Sequence, residues 1–151
     1  MTQRFTVIVA AGLALAFAGQ VNAEPAGSKV LDLGKLPWSP LHGTGRVVPL
    51  AMNDENKPLA ALARIPAGQV LEPHAGHDGR MRIVTVVSGT LFYADGPTVD
   101  PAKEKAFPAG SVLVVPPDAM HWAAARQGEV TFQIVVVPPG KVAPPLQAQL
   151  R

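Results

Sequence analysis

The sequence has no cysteine. Disulfide staples, thiolate ligands and sulfur nucleophiles are thereby excluded, and stability has to come from packing. Charge is scarce: Asp, Glu, Lys and Arg make up only 16% of the 151 residues, with no block of one sign. Such a chain offers no basic stripe for nucleic acid and no solvating acidic tail. Helical periodicity is missing beyond residue 23, and 16 prolines punctuate the chain. Proline breaks helix interiors but suits strand ends and turns. Hydrophobic residues still reach 48%. That supports a packed core, and the length fits one domain rather than two.

The one long uncharged run lies at the start. Arg4 precedes "FTVIVAAGLALAFAG", and the small residues of "VNA" and "EPAG" follow. A positive start, a short apolar centre and a cleavage point after Ala23 form the layout of a secretory signal peptide. A membrane anchor is the rival reading, but the run falls short of the roughly 20 residues a spanning helix needs. No cysteine follows, so a lipoprotein anchor is excluded. The expectation is export to the periplasm or beyond, with no membrane contact after cleavage. The chain from residue 24 carries 12 basic and 11 acidic residues, close to neutrality.

Residues 24–45 read as an irregular N-terminal arm with a short strand at 29–33 and with Trp38 over the edge of a core. From Arg46 to about residue 140, β-rich runs such as "RIVTVVSG", "SVLVVPP" and "VTFQIVVVPP" alternate with turn clusters such as "AGHDG" and "PPDA". Many short strands with Gly/Pro turns predict an all-β sandwich or barrel, followed by a tail over 141–151. In "MRIVTVVSG" the period of two places Arg82, Val84, Val86 and Ser88 on one face and Met81, Ile83, Thr85 and Val87 on the other. Both faces are largely apolar, which predicts cover on both. An inward Arg82 then needs a partner, an anion or water.

The chemistry rests on four histidines: His42, His74, His77 and His121. Neutral imidazole ligates Zn, Fe, Mn, Ni or Cu. His74 and His77 are three residues apart, so they converge only if the backbone bends, and Gly76 and Gly79 make a bend cheap. Glu72 shares strand parity with His74 and reads either as an extra carboxylate ligand or as a solvated rim charge. Asp78 reads as a turn former. Arg82 reads as a bidentate anchor for an anion or as a strand-end arginine reaching water. Gln133 is a candidate to line a pocket from the last long strand, with Tyr93 and Met120 weaker ones that read rather as packing. His42 lies apart from the others and reads as an ordinary surface or packing residue.

These positions resemble the two motifs of a small single-domain cupin. Gly68, five residues, His74, then His77, Arg82 and Gly89 follow the first motif, with the second histidine one place late and Arg82 where the family has Glu. Gly110, five residues, Pro116, Asp118, His121 and Ala125 follow the second, with Asp118 for a Gly and Ala125 for an Asn. The resemblance covers about residues 46–138. It implies a double-stranded β-helix, or jelly-roll β-barrel. It also implies one divalent transition metal (Fe, Mn, Zn or Ni) held by His74, His77 and His121.

Three expectations follow. In the first, the barrel holds the metal and acts on a small anionic molecule, as a dioxygenase-like oxidoreductase or an isomerase, with Arg82 orienting the anion. In the second, it is a metal-free binding barrel with Arg82 as the anchor, because a guanidinium in the glutamate's place adds positive charge beside a dication. In the third, it is a storage or assembly barrel with no ligand. Exposed sheet edges would allow a homodimer.

Overall fold

A computed structural model describes residues 27–76 and 78–150. The signal-like residues 1–23, His77 and Arg151 lie outside the described residues. The strands are β1 (Ser39–Leu41), β2 (Gly45–Met52), β3 (Pro58–Ile65), β4 (Val70–His74) and β5 (Met81–Ser88). They continue with β6 (Thr90–Asp95), β7 (Lys105–Pro108), β8 (Val112–Val115), β9 (His121–Ala124) and β10 (Val130–Val137). A six-residue helix, α1 (Pro144–Gln149), lies in the tail. No helix among the described residues is long and apolar enough to cross a membrane.

The strands form two antiparallel sheets, ordered β1-β2-β3-β10-β5-β8 and β4-β9-β6-β7. Non-consecutive neighbours in both sheets give the crossovers of a jelly roll, the architecture that the cupin resemblance implies. The faces that meet are apolar by the period-two rule. Ile65, Val86, Leu91 and Val130 are sealed from solvent, with Phe132 and Leu113 beside them. Burying each such side chain stabilises the fold by about 1.5–3 kcal/mol before chain entropy is counted.

The N-terminal arm differs from expectation. Residues 29–33 do not form a strand. The Asp32 carboxylate accepts from Gly34 N–H at 3.0 Å and caps a 3-10 turn, Leu33–Lys35, so local side-chain bonding wins over the alternating pattern. β1 then begins at Ser39, inside the segment read as irregular. Trp38 is half-buried beside β3. Its Nε1–H donates to Leu33 O at 3.0 Å, and the Arg64 guanidinium lies 4.6 Å over its ring.

β5 also differs. Its even face is buried, with Val84 and Val86 at 8% and 1% exposure, but Val87 on the odd face is 50% exposed. The four-stranded sheet covers one side of β5 only.

Asp118 has φ +58°, in the left-handed region that favours glycine, and its N–H donates to Gly76 O at 3.3 Å. Asp tolerates this region better than most side chains, and β-branched residues tolerate it worst. We expect Asp118→Gly to change stability by less than about 1 kcal/mol and Asp118→Val to cost about 1–2 kcal/mol. Urea midpoints of the two variants check the ranking.

Candidate functional site

The sheet-to-sheet space holds a cavity of about 290 Å³, lined by residues of both sheets. Most of its wall is hydrocarbon, including Leu71, Val84, Leu91, Val115, Phe132 and Ile134. Its polar groups are His42, His74, His121 and Tyr93, together with Asp78, Arg80 and Arg82.

His74 and His121 are directly paired across the β4–β9 ladder. Their ring centroids are 4.4 Å apart with planes at 60°. A register shift between Leu71 and His74 bulges β4. The bulge breaks strict alternation, so both Leu71 and His74 face the cavity. For the same reason Glu72 does not supply a ligand carboxylate: its parity with His74 is lost, and its side chain is exposed. Glu72 contributes its backbone instead, because His74 Nδ1 lies 2.7 Å from Glu72 O. His121 repeats the arrangement with Ala119 O at 2.8 Å. A carbonyl only accepts, so Nδ1–H donates in both rings and each Nε2 keeps its lone pair. Burial lowers the pKa of both imidazoles, the backbone bonds oppose this, and the Arg82 charge lowers both further. Both rings are therefore neutral at pH 7.

His42, read from the sequence as a surface or packing residue, is exposed and packs at the cavity. Its ring stacks on His74, with centroids 3.9 Å apart and planes at 19°. It sits in the "LHGTG" turn with φ +41°, and the turn is tied to β4 by Thr44 Oγ1 donating to Val70 O at 2.8 Å. Desolvation, then the proximity of His74, lowers its pKa. The sequence offered only that His42 immediately precedes two closely spaced glycines, Gly43 and Gly45.

Tyr93 faces the cavity and stacks on His121 at 5.3 Å. Its OH donates to Asp95 Oδ1 at 3.3 Å. Burial, followed by the charge and hydrogen bond of Asp95, raises its pKa well above the usual phenol range. The phenol thus keeps its proton. Gln133 does not line the cavity. On β10 the even residues Phe132, Ile134 and Val136 face it, and Gln133 falls on the other side by alternation. Met120 is also absent from the wall and is 36% exposed.

Arg82 lines the cavity from β5. Its Nη1 donates to Arg80 O at 2.6 Å and its Nη2 to Asp78 Oδ2 at 2.9 Å. Asp78 is more than a turn former. Its Oδ1 accepts from Arg80 N–H at 3.0 Å, and its Oδ2 also accepts from Arg80 Nε at 3.0 Å. Burial opposes ionisation of Asp78, but the two arginines and the backbone bond leave its pKa below the ordinary value. The guanidinium rests on Gly76, where any Cβ would collide with its central carbon and both terminal nitrogens. The sequence signal for this cluster was present in "HDGRMR", but it pointed to a turn and one arginine rather than to a joined trio.

Two imidazoles with inclined planes and open Nε2 atoms suit two positions of a divalent ion. His42 does not complete the set. A metal lies in the plane of each ring that binds it, and the near-parallel planes of His42 and His74 do not meet close by. Among the described residues, no three His, Cys, Asp or Glu side chains are grouped to hold a metal. His77, the other expected ligand, lies outside the described residues.

Comparison with solved structures returns the same architecture. KdgF from Halomonas sp. is 17% identical with a TM-score of 0.55, over 73% of this chain and 94% of that one. A predicted oxalate decarboxylase from Thermotoga maritima is 18% identical with a TM-score of 0.57, over 72% and 98%. An RmlC-like cupin from Shewanella frigidimarina is 16% identical with a TM-score of 0.53, over 76% and 95%. At such identities the likeness carries the fold and not the activity. No curated protein matches the chain. The model of the ChrR cupin-like domain matches residues 26–139, about three-quarters of the chain. The chain belongs to the ChrR cupin-like domain family.

Proposed function

We propose that this is an exported cupin that holds one divalent transition metal and binds a small anionic molecule beside it. His74 and His121 supply two donors and His77 the third. The observation that carries this reading is the tethering of both Nδ1 atoms to backbone carbonyls, which leaves two neutral, aimed Nε2 atoms in a half-closed cavity. A bound metal would supply Lewis acidity toward a ligand oxygen, as dioxygenase-like or isomerase chemistry requires. The chain's own residues do the rest. Arg82 orients the anionic group, the hydrocarbon wall excludes water, and Tyr93 retains its proton next to His121. Export rests on the signal-like residues 1–23.

The test is elemental analysis of protein purified without added chelator. We expect about one divalent ion per chain in the wild type and in His42→Ala, and a loss of tenfold or more in His121→Ala and His77→Ala. Equal, negligible metal in the wild type and His121→Ala would remove the metal from the proposal. A second reading is then favoured by the Arg82 charge, which acts on both imidazoles and disfavours a cation. In that reading the barrel is a metal-free binder with Arg82 as the anchor.

A further inference from the structure

Asp78, Arg80 and Arg82 form a compact group on the cavity wall, with side-chain exposures of 29%, 14% and 20%. Asp78 is the one acidic residue among the described residues that line the cavity. It is shared between two guanidinium groups, so the trio carries one net positive charge. A charge in so much hydrocarbon is costly unless a counter-charge meets it. Arg80 engages Asp78 through Nε, and neither of its terminal nitrogens has a side-chain or backbone acceptor among the described residues. An open guanidinium fork matches the two oxygens of a carboxylate. Beyond the polar end, the wall offers only aliphatic and aromatic carbon from Val84, Val115, Phe132 and Ile134. Nothing there would compensate a second charge.

We propose that the cavity binds a small monocarboxylate with an apolar body, its carboxylate against Arg80 and Arg82 and its body along the hydrocarbon wall. This deepens the reading of the cavity as a small-molecule site; the charge argument, and with it the adipate comparison, applies to the chelated protein, where no dication adds charge. The single charge of the trio sets the valence of the ligand, and the cavity of about 290 Å³ limits it to a short chain or one ring. Asp78 holds the two forks together and limits the site to one anion.

Titration calorimetry of the full chain with hexanoate, hexanamide and adipate tests this, on protein as purified and after chelation. Hexanoate is expected to bind in both states. Hexanamide lacks the charge, and adipate would bury a second carboxylate, so each should bind the chelated protein at least about tenfold more weakly. In Arg82→Gln, and separately in Arg80→Gln, the preference for hexanoate over hexanamide should shrink by about tenfold, with thermal melts confirming that each variant is folded. Hexanamide or adipate binding the chelated protein as tightly as hexanoate would overturn the proposal. So would a hexanoate preference that survives in both folded variants, or hexanoate binding that vanishes on chelation. Failure of the metal reading would appear in the elemental analysis alone and leave the hexanoate arm intact.

Discussion

Gly89→Ala is expected to destabilise the protein by about 2–5 kcal/mol and to lower its melting temperature by about 10 °C. Gly89 is the single residue between β5 and β6, with φ +76°. A left-handed φ costs a residue bearing a Cβ about 1–2 kcal/mol. The rest comes from collision, because an added Cβ would strike Glu129 O and crowd the Cα of Val130. Both are backbone atoms at the start of β10 and cannot rotate aside. Gly110→Ala separates the two causes. Its φ is +89°, yet nothing lies within 4 Å of its added Cβ. It should lose only the conformational part, about 1–2 kcal/mol. Equal losses in the two variants, measured by denaturant unfolding, would contradict the collision argument.

Glu104→Ala should cost about 2–4 kcal/mol. The Glu104 side chain is 3% exposed. Its Oε1 accepts from the indole N–H of fully buried Trp122 at 3.1 Å, and its two oxygens accept from Nη2 and Nε of Arg126 at 2.6 and 2.9 Å. Truncation strands the indole donor in the interior and frees a cation that is about one-third exposed. Glu104→Gln retains an acceptor for Trp122 and should lose less, about 1–2 kcal/mol. The two variants should also differ from the wild type in acid. The Arg126 hydrogen bond lowers the Glu104 pKa, burial opposes it, and the Trp122 bond adds to the lowering. A carboxylate depressed on folding contributes fully above its unfolded value near 4.5. That contribution drains away as pH falls through the lower folded value. Wild type should therefore lose its advantage over Glu104→Gln as pH falls below 4.5, and a constant gap on acidification would argue against the ion pair.

The β architecture was legible because it rests on local rules. Runs such as "SVLVV" alternate, prolines and glycines bound them, and Gly68, Gly89 and Gly110 fall where the cupin spacing needs turns. Motif position singled out His74, His121 and Arg82, and all three line the cavity, whereas Tyr93 lies in neither motif. Failures arose where one local event overrode the period. The β4 bulge turned Glu72 outward while keeping His74 inward. Simple parity from Phe132 would have excluded Gln133, had the cavity-facing set of β10 been known. His42 was invisible because its neighbour in space, His74, is 32 residues away in the chain, and only the packing of the two sheets brings them together. Arg80 and Asp78 were within view in the sequence, but ion pairing between them depends on the path of residues 75–80.

His74 and His121 face each other across paired strands, so their separation is set by the sheet ladder itself. Asp78 and Arg80 hang on the connection between β4 and β5, and Arg82 stands at its exit. Inheritance can therefore act on the two halves separately. Under the proposed function, insertions or exchanges in residues 75–80 would alter which molecule is selected, while the imidazole pair would pass unchanged from one descendant to the next. A lineage built on this scaffold would diversify its diet through six residues.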